Sequence, residues 1–309
     1  MDGGQLNGII VIDKPPDITS ARVVASVKKE LGADKVGHAG TLDPFAEGLL
    51  ICCVNQATRL AGFLLQGPKK YVGVLKLGEE TDTQDCTGTV VAGSKPIGLS
   101  QQTIHNVFKS FEGTLEQLPP VYSALKHKGV PLYRLARRGR PIQKPPRQVQ
   151  IYDISVMQVD LPFVRFEVAC SAGTYIRTLA ADIGRLLGCG GHLHELKRVA
   201  SSGFTLDQAT PLSALAELAR SRKLTQRMIS MKDALPAMPE SYAAEHLVAK
   251  IQHGQVLTVQ DLGNSHVCLT ERDAYVKIVD RSGNLIAIVE HRASNDRLNY
   301  CCVFVKPNN

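Results

Sequence analysis

A single carboxylate stands in a glycine-containing loop near the start of this 309-residue chain. The segment KVGHAGTLDPFAEGLL, residues 35–50, places Asp43 directly before Pro44 and five residues after His38. Glycines permit backbone angles that other residues resist, and a proline restricts the preceding residue to extended conformations. The pattern predicts a rigid loop that presents one acid for chemistry. The simpler alternative is that Asp43 caps a helix beginning near residue 45, and the local pattern leaves both open.

An arginine occupies an unfavourable position in the segment GTYIRT, residues 173–178. Apolar residues at helical spacing predict a helix over 174–187, with Thr174 as its N-cap. Arg177 then lies in the first turn, where the helix dipole disfavours a cation by roughly 0.3–1 kcal/mol. A nearby carboxylate would remove this cost. The alternative is that the side chain extends into solvent.

Two tyrosines accompany these charged residues. Tyr71 begins the alternating segment YVGVLKLG, residues 71–78, and Tyr175 lies in the GTYIRT segment. Each could form an aromatic platform for a ligand. Taken alone, each is more typical of an aromatic residue at the edge of a core.

The positive charge of the chain is concentrated in one segment. The net charge is +7 with a pI near 9.0, which favours a polyanionic partner. No Asp or Glu lies between Gln117 and Tyr152. The same stretch contains Lys126, Lys128, Arg134, Arg137, Arg138, Arg140, Lys144 and Arg147. We expect it to form an exposed excursion that contacts the polyanion.

Several other classes of protein and site are excluded by pattern. The Asp43 loop lacks the G-x-x-x-x-G-K-[ST] spacing of a phosphate-binding loop. The histidines of CGGHLH, residues 189–194, have no second ligand pair at zinc spacing, and the acids of residues 79–85 lack the glutamate that closes a calcium loop. We predict no metal site. With no membrane-length apolar run, no signal-peptide pattern and no C-x-x-C, a cytoplasmic protein with reduced cysteines is expected.

Hydrophobic periodicity and turn residues divide the chain into short elements. Predicted strands occupy residues 8–13, 71–78 and 164–173, and predicted helices occupy 19–31, 100–111, 131–138 and 174–187. Residues 232–241 have the composition of a linker. Short strands separated by Gly and Asn turns follow, as in a small β-barrel. This order predicts a mixed α/β domain followed by a compact β module.

These features are consistent with one another. Chemistry on a nucleobase requires the base to leave its stack, so a polyanion-binding segment, an aromatic platform and one reactive group form a coherent set.

The chain also resembles the TruB family of tRNA pseudouridine synthases, over essentially its whole length and in family order. The matching segments are GIIVIDKPPDITS, KVGHAGTLDPFAEGLL, ATRL, KKYVG, LGEETDTQDCTG, PPVYSALKHKGVPLYRLARRG and SAGTYIRTLAADIGRLLGCGGHLHELKR.

The resemblance implies a fold and a domain division. The expected catalytic domain is an α/β (α+β) domain with a mixed, largely antiparallel sheet over residues 1–235. A basic insertion at about 119–148 would clasp the T-arm of tRNA. Residues 241–309 would form a small PUA-like RNA-binding β-barrel. The expected protein is a monomer with no obligate protein partner and no membrane association.

The resemblance also implies an activity: isomerisation of uridine 55 in the T-loop of tRNA to pseudouridine, without guide RNA or cofactor. Asp43 would be the catalytic aspartate, kept ionised by Arg177, which would lower its pKa. Tyr71 would stack on the flipped uracil and act as base at carbon 5. The other implied residues are Tyr175, Leu196 and Asp85 in the uridine pocket, His38 as the group that fills the space left in the RNA, and Arg59 as a phosphate contact. A guide-RNA-dependent synthase and an RNA-binding or RNA-folding protein are the alternatives.

Overall fold

The computed structural model describes residues 6–262, 274–292 and 295–304. Part of the predicted C-terminal domain, including Cys268 and Val305, lies outside the described residues. The strands are β1 (Gly8–Lys14), β2 (Val36–His38), β3 (Glu47–Val54), β4 (Lys69–Leu77), β5 (Glu80–Thr81), β6 (Val90–Ala92), β7 (Gly113–Gln117), β8 (Lys126–His127), β9 (Val130–Pro131), β10 (Arg147–Asp160), β11 (Phe163–Cys170), β12 (Gly191–Ser201), β13 (Phe204–Thr205), β14 (Thr210–Pro211), β15 (Glu240–Tyr242), β16 (Leu257–Thr258), β17 (Ala274–Val279), β18 (Leu285–Arg292) and β19 (Asn295–Val303).

The α-helices are short and connect or cover the strands. They are α1 (Ser20–Leu31), α2 (Ala61–Gln66), α3 (Gln101–Lys109), α4 (Leu132–Arg137), α5 (Ile176–Leu186), α6 (Leu215–Arg220) and α7 (Glu245–Gln252). Short 3-10 helices occupy Asn55–Leu60, Leu206–Gln208, Leu212–Ala214, Leu224–Arg227 and Val259–Leu262. None of these helices, over the part of the chain that is described, is long and apolar enough to cross a membrane.

One large mixed sheet forms the body of the molecule. Its strand order is β14-β1-β3-β12-β4-β11-β10-β7, with β2 paired to β3 and β13 paired to β12. The β1–β14 and β3–β12 pairs are parallel and the others are antiparallel, which confirms the predicted mixed, largely antiparallel sheet. β4 lies in the centre, between β12 and β11. Central strands offer the most rigid positions for site residues.

Local sequence signals explain the elements nearest the site. Thr19 accepts a hydrogen bond from the Arg22 amide and caps α1, and Ser100 caps α3 in the same way. Tyr71 and alternate residues of β4 face the buried side of the sheet, as the period of two predicts. α5 begins with Tyr175 as N-cap, so the prediction of Thr174 is wrong by one residue. The Thr174 hydroxyl instead donates to the Ser171 carbonyl, which continues the preceding turn.

A second sheet, of five strands in the order β15-β17-β18-β19-β16, forms the C-terminal module. It is curled into a half-barrel, in agreement with the PUA-like expectation. Its Ile288 and Phe304 belong to the same buried cluster as Ile9 and Leu49 of the large sheet. Residues 232–241 are not a free linker, because Leu235 is buried in this cluster and β15 pairs with β17.

Candidate active site

A cleft of about 460 Å³ opens beside β4, β12 and the start of α5. This volume lies in the range of pockets that enclose small ligands. Asp43 is the sole carboxylate among the described residues of its wall, while Lys69, Arg147, Arg177 and Arg198 are its cations. Tyr71, Tyr175 and Leu196 provide the aromatic and apolar surface. The cleft therefore combines one acid with an excess of positive charge, which suits an anionic ligand.

The loop that carries Asp43 is held by buried polar side chains. The Ser20 hydroxyl donates to the Leu42 carbonyl (3.0 Å) and accepts from the Leu42 amide (2.9 Å), directly beside Asp43. The fully buried Lys14 ammonium donates to the carbonyls of Pro44 (3.1 Å) and Ile18 (2.7 Å). These contacts tie residues 14–20 to the loop that carries Asp43.

The alternative of a helix cap at Asp43 is wrong. The chain passes from Asp43 through one short turn, closed by the Ala46 amide donating to the Asp43 carbonyl (3.2 Å), into β3. β3 is buried along nearly its whole length, so its apolar residues form a strand in the centre of the sheet. The carboxylate is left to interact with groups from elsewhere in the fold.

Arg177 is the principal partner of Asp43. Its Nε lies 2.9 Å from Asp43 Oδ2 and its Nη2 lies 3.5 Å from Oδ1. Nη1 and Nη2 also donate to the carbonyls of Thr83 and Tyr122, each at 2.9 Å. The Arg177 side chain is 5% exposed, so the alternative that it extends into solvent is wrong. The carboxylates beside it remove the cost of a cation in the first helical turn.

Asp85 is the second carboxylate on Arg177. Its Oδ2 lies 3.1 Å from Arg177 Nη1, and its Oδ1 accepts from the Thr83 hydroxyl and from the amide and hydroxyl of Thr87. Asp85 is buried and contacts Arg177, and its place in the uridine pocket stays a prediction. Its contacts indicate that it orients the guanidinium.

Arg177 lowers the pKa of Asp43 as predicted, but burial outweighs this effect and the net shift is upward. Burial raises the pKa of this carboxyl above its usual range, while the guanidinium of Arg177 opposes the rise. The nearby charge of Asp85 adds to the rise, since two acids share one arginine. The side chain of Asp43 is 36% exposed towards the cleft, compared with 5% for Asp85. Asp43 is the member of the pair that a ligand can reach.

The aromatic wall is formed by two tyrosines held in different ways. Tyr71, on β4, is 8% exposed, and burial raises its pKa while Arg198 lowers it. The guanidinium of Arg147 lies 4.6 Å from the ring centroid of Tyr175. The buried Gln117 fixes the backbone of Tyr175 from both sides, accepting from its amide and donating to its carbonyl. Leu196, on β12, completes the apolar surface.

The other predicted residues lie around the cleft. His38 ends β2, and burial lowers its pKa, so the ring is neutral near pH 7. Arg59 donates to the Val303 carbonyl and stacks over Phe304 at 5.0 Å, which gives it a structural contact with the C-terminal module. Its phosphate contact stays a prediction. The exposed cations are Lys126, Lys128, Arg134, Arg137, Arg138 and Arg140, carried by β8, α4 and the adjoining turns.

Four cations in or beside the cleft were not predicted as individual site residues. Lys14, Lys69 and Arg198 are buried, and burial lowers the pKa of each lysine to about 8. Arg147 was assigned only to the basic stretch. The sequence signal that could have found Arg198 was a charged residue on the buried face of a strand. Arg198 lies two residues after the buried Leu196 in β12, so the two side chains share one face. Within the described ranges, no three His, Cys, Asp or Glu side chains are grouped to hold a metal.

Comparisons with known proteins agree with this arrangement. A solved structure of a Cbf5-Nop10-Gar1 complex contains a chain with a TM-score of 0.75 and 28% identity, covering 98% of this chain and 86% of its own. The tRNA pseudouridine synthase B of Geobacter sulfurreducens is 48% identical over 230 residues, 74% of this chain and 76% of the relative. That of Syntrophus aciditrophicus is 39% identical over 293 residues, 95% and 94% of the two chains.

Two family models match most of the large domain. The N-terminal domain of TruB family pseudouridylate synthases matches residues 28–176, and the tRNA pseudouridylate synthase B C-terminal domain matches residues 177–236. The fold, the site and these matches define the class as a pseudouridylate synthase, which is an isomerase. The chain belongs to the TruB family.

Proposed function

We propose that this protein isomerises uridine 55 in the T-loop of tRNA to pseudouridine, without a guide RNA. The observation that supports this best is the pair of Asp43 and Arg177, in which one reachable carboxylate lies on the wall of an otherwise cationic cleft. Such a cleft attracts an RNA backbone and offers one reactive group to a base that has left its stack. The curated relatives named tRNA pseudouridine synthase B support the choice of tRNA.

The proposed reaction exchanges one bond of the uridine for another. The bond from ribose C1′ to N1 breaks, the uracil turns, and a bond from C1′ to C5 forms; C5 loses a proton and N1 gains one. Asp43 serves as nucleophile on the base or the sugar, or assists a glycal route, and Arg177 orients it. Tyr71 stacks on the uracil and accepts the C5 proton. No step requires a metal or an organic cofactor.

The surrounding residues would bind the RNA. We propose that Tyr175 and Leu196 line the uridine pocket and that His38 fills the space left by the flipped nucleotides. Residues 1–235 form the catalytic domain, and residues 241–309 form a PUA-like domain that also contacts tRNA. The protein would act as a monomer in the cytoplasm, with no obligate protein partner.

Incubation with a bare tRNA transcript tests the proposed function. A transcript carrying tritium at uridine C5 should release tritium with purified protein alone, since C5 loses its hydrogen. Mapping should place pseudouridine at position 55, and a transcript with cytidine there should release none. Failure to modify the bare transcript, or modification at another site, would contradict the proposal.

The solved structures support a second candidate. One structural relative is an H/ACA RNP bound to a substrate RNA containing 2′-deoxyuridine, with a TM-score of 0.73 and 26% identity. A guide-dependent enzyme would leave the bare transcript unmodified until guide RNA and partner proteins were added. An RNA-folding protein would bind the transcript and release no tritium under either condition.

The basic excursion provides a prediction about binding. Replacing Arg137, Arg138 and Arg140 together with alanine should reduce the slope of log affinity against log salt by about 2–3, close to one unit per lost phosphate contact. All three side chains are exposed, so little stability should be lost. Filter binding over a series of salt concentrations measures the slope.

A matched variant controls for the change in total charge. Replacing Arg220, Lys223 and Arg227 with alanine removes the same charge from exposed positions at α6 and the following turn. This control should leave the slope near the wild-type value. An unaltered slope in the first variant would place the excursion away from the RNA.

A further inference from the structure

Arg198 is a fully buried cation that has no role in the reaction proposed above. It is 1% exposed and is among the largest fully buried side chains in the described structure. It lies in β12 directly opposite Tyr71 of β4, two residues after Leu196. Among the described residues, no carboxylate lies within ion-pair distance of its guanidinium. Burial of such a cation is costly, so its contacts require an explanation.

The guanidinium joins the two ends of the Asp43 loop. Its Nε donates to the Leu49 carbonyl at 2.7 Å, and its Nη2 donates to the Gly40 carbonyl at 2.9 Å. Gly40 has a φ of 105°, and a Cβ there would lie 3.3 Å from Arg198 Nη1. The absence of a side chain at Gly40 therefore lets the guanidinium lie against the loop backbone. The loop is held on both sides of Asp43 by one rigid side chain.

Arg198 lies opposite Tyr71 across the β4–β12 pair, and both side chains line the cleft. Burial raises the pKa of Tyr71, and the charge and hydrogen bond of Arg198 oppose this rise. The other titratable groups facing the phenol are Cys170 of β11 and Asp43, and both favour its protonated form. Lys69 and Arg177 also line this cleft, and the cation that opposes the rise in the Tyr71 pKa is Arg198. Arg198 is thus the cation that favours the phenolate.

We propose that Arg198 is a positioning residue that joins the Asp43 loop to the Tyr71 hydroxyl. This rests on the proposed function. It holds the carboxylate and the phenol in one fixed arrangement around the uracil. The phenol first loses its proton to solvent, and Arg198 stabilises the resulting phenolate, which then accepts the proton from C5. The phenolate becomes a phenol in that step, and N1 of the uracil takes a proton from solvent, so the reaction remains an isomerisation.

Replacement of Arg198 with methionine tests the inference. We expect the single-turnover rate of tritium release to fall by about 100-fold near neutral pH, the lower end of a general-base contribution, with tRNA affinity within a few fold. The loss should shrink as pH rises, because alkaline solution restores the phenolate that Arg198 no longer stabilises. Arg198→Lys should recover part of the rate, since it keeps the charge but cannot reach both carbonyls.

Lys197→Met is the matched control. Lys197 is the preceding residue of β12, points to the opposite face of the sheet, and forms a half-exposed ion pair with Glu47. Its loss should change neither the rate nor the pH profile. A loss in Arg198→Met that is equal at every pH would identify a merely structural effect and would overturn the inference, as would a wild-type rate.

A double-mutant cycle keeps the test valid if Arg198→Met does not fold. Arg198→Lys is then combined with Tyr71→Phe, and tritium release is followed over long incubations. If Arg198 acts through the phenol, the second substitution should add little to the loss caused by the first. Fully additive losses would contradict the inference. Failure of the proposed function appears separately, as wild-type protein that does not modify the bare transcript.

Discussion

Replacing Asp43 with asparagine should abolish pseudouridine formation, with a loss of more than about 10⁴-fold in the single-turnover rate, the scale observed when a catalytic nucleophile is removed. The amide has nearly the same size but carries no charge and is a poor nucleophile. Binding of tRNA should stay within a few fold, because the RNA contacts lie mainly on other residues. Tritium release and filter binding measure the two quantities.

One control accompanies this variant. Asp17→Asn changes an exposed acid in a neighbouring loop, at a positive φ that asparagine also adopts, and should leave the rate unchanged. A wild-type rate in Asp43→Asn would refute the assignment of Asp43.

The stability of Asp43→Asn follows from the direction of the pKa shift. Burial raises the pKa of Asp43 in the folded state, so the folded protein binds this proton more tightly than the unfolded chain. The ionised carboxylate therefore lowers stability as pH rises from the ordinary aspartate pKa through the raised value. At neutral pH we expect the neutral asparagine to leave the melting temperature unchanged or higher. A large fall would show that the loss of activity reflects unfolding.

Replacing Arg177 with methionine should cause the second large effect. Asp43 and the buried Asp85 lose their shared cation, and the carbonyls of Thr83 and Tyr122 each lose a donor. Removal of one partner from a buried ion pair lowers the free energy of unfolding by about 3–5 kcal/mol. We expect the rate to fall by about 100-fold or more, because the carboxylate is no longer oriented. Thermal melting and single-turnover kinetics measure these effects.

Helix α5 itself provides the control. Arg185 also contacts two carboxylates, Glu80 and Asp182, but its side chain is 50% exposed. Arg185→Met should change stability by no more than about 1 kcal/mol and leave the rate unaltered. Combining Arg177→Met with Asp85→Asn should recover part of the stability and none of the activity. Unchanged turnover in Arg177→Met would dismiss the role of the ion pair.

Local sequence signals were sufficient to predict many of the helices and strands. Thr19 and Ser100 mark the starts of α1 and α3 because a capping side chain bonds to its own helix. The alternation of β4 was readable because one of its faces is buried. The rejected helix at residue 45 shows the limit of such signals, since a short apolar run fits a buried strand equally well.

The same limit applies to the site. Resemblance to a known family pointed to Asp43, Tyr71 and Arg177, which the fold brings to one cleft, but not to the contact between Asp85 and Arg177. A polar residue that accepts three hydrogen bonds from its own loop looks like any other acid in a loop sequence. The pKa of Asp43 could not be predicted either, because burial and the charges of distant residues set it together.

The sequence by itself determined the residue types, the local elements and the concentration of positive charge in one segment. Only the tertiary structure decided which charges meet: Asp43 lies 134 residues from Arg177, and Gly40 lies 158 residues from Arg198. Contacts at such separations depend on how the strands pair, and strand pairing depends on the packing of the whole sheet. The chemistry of the loop is therefore a property of the assembled sheet and helix α5, which place one acid beside the buried Arg177 in a loop whose backbone contacts the buried Arg198.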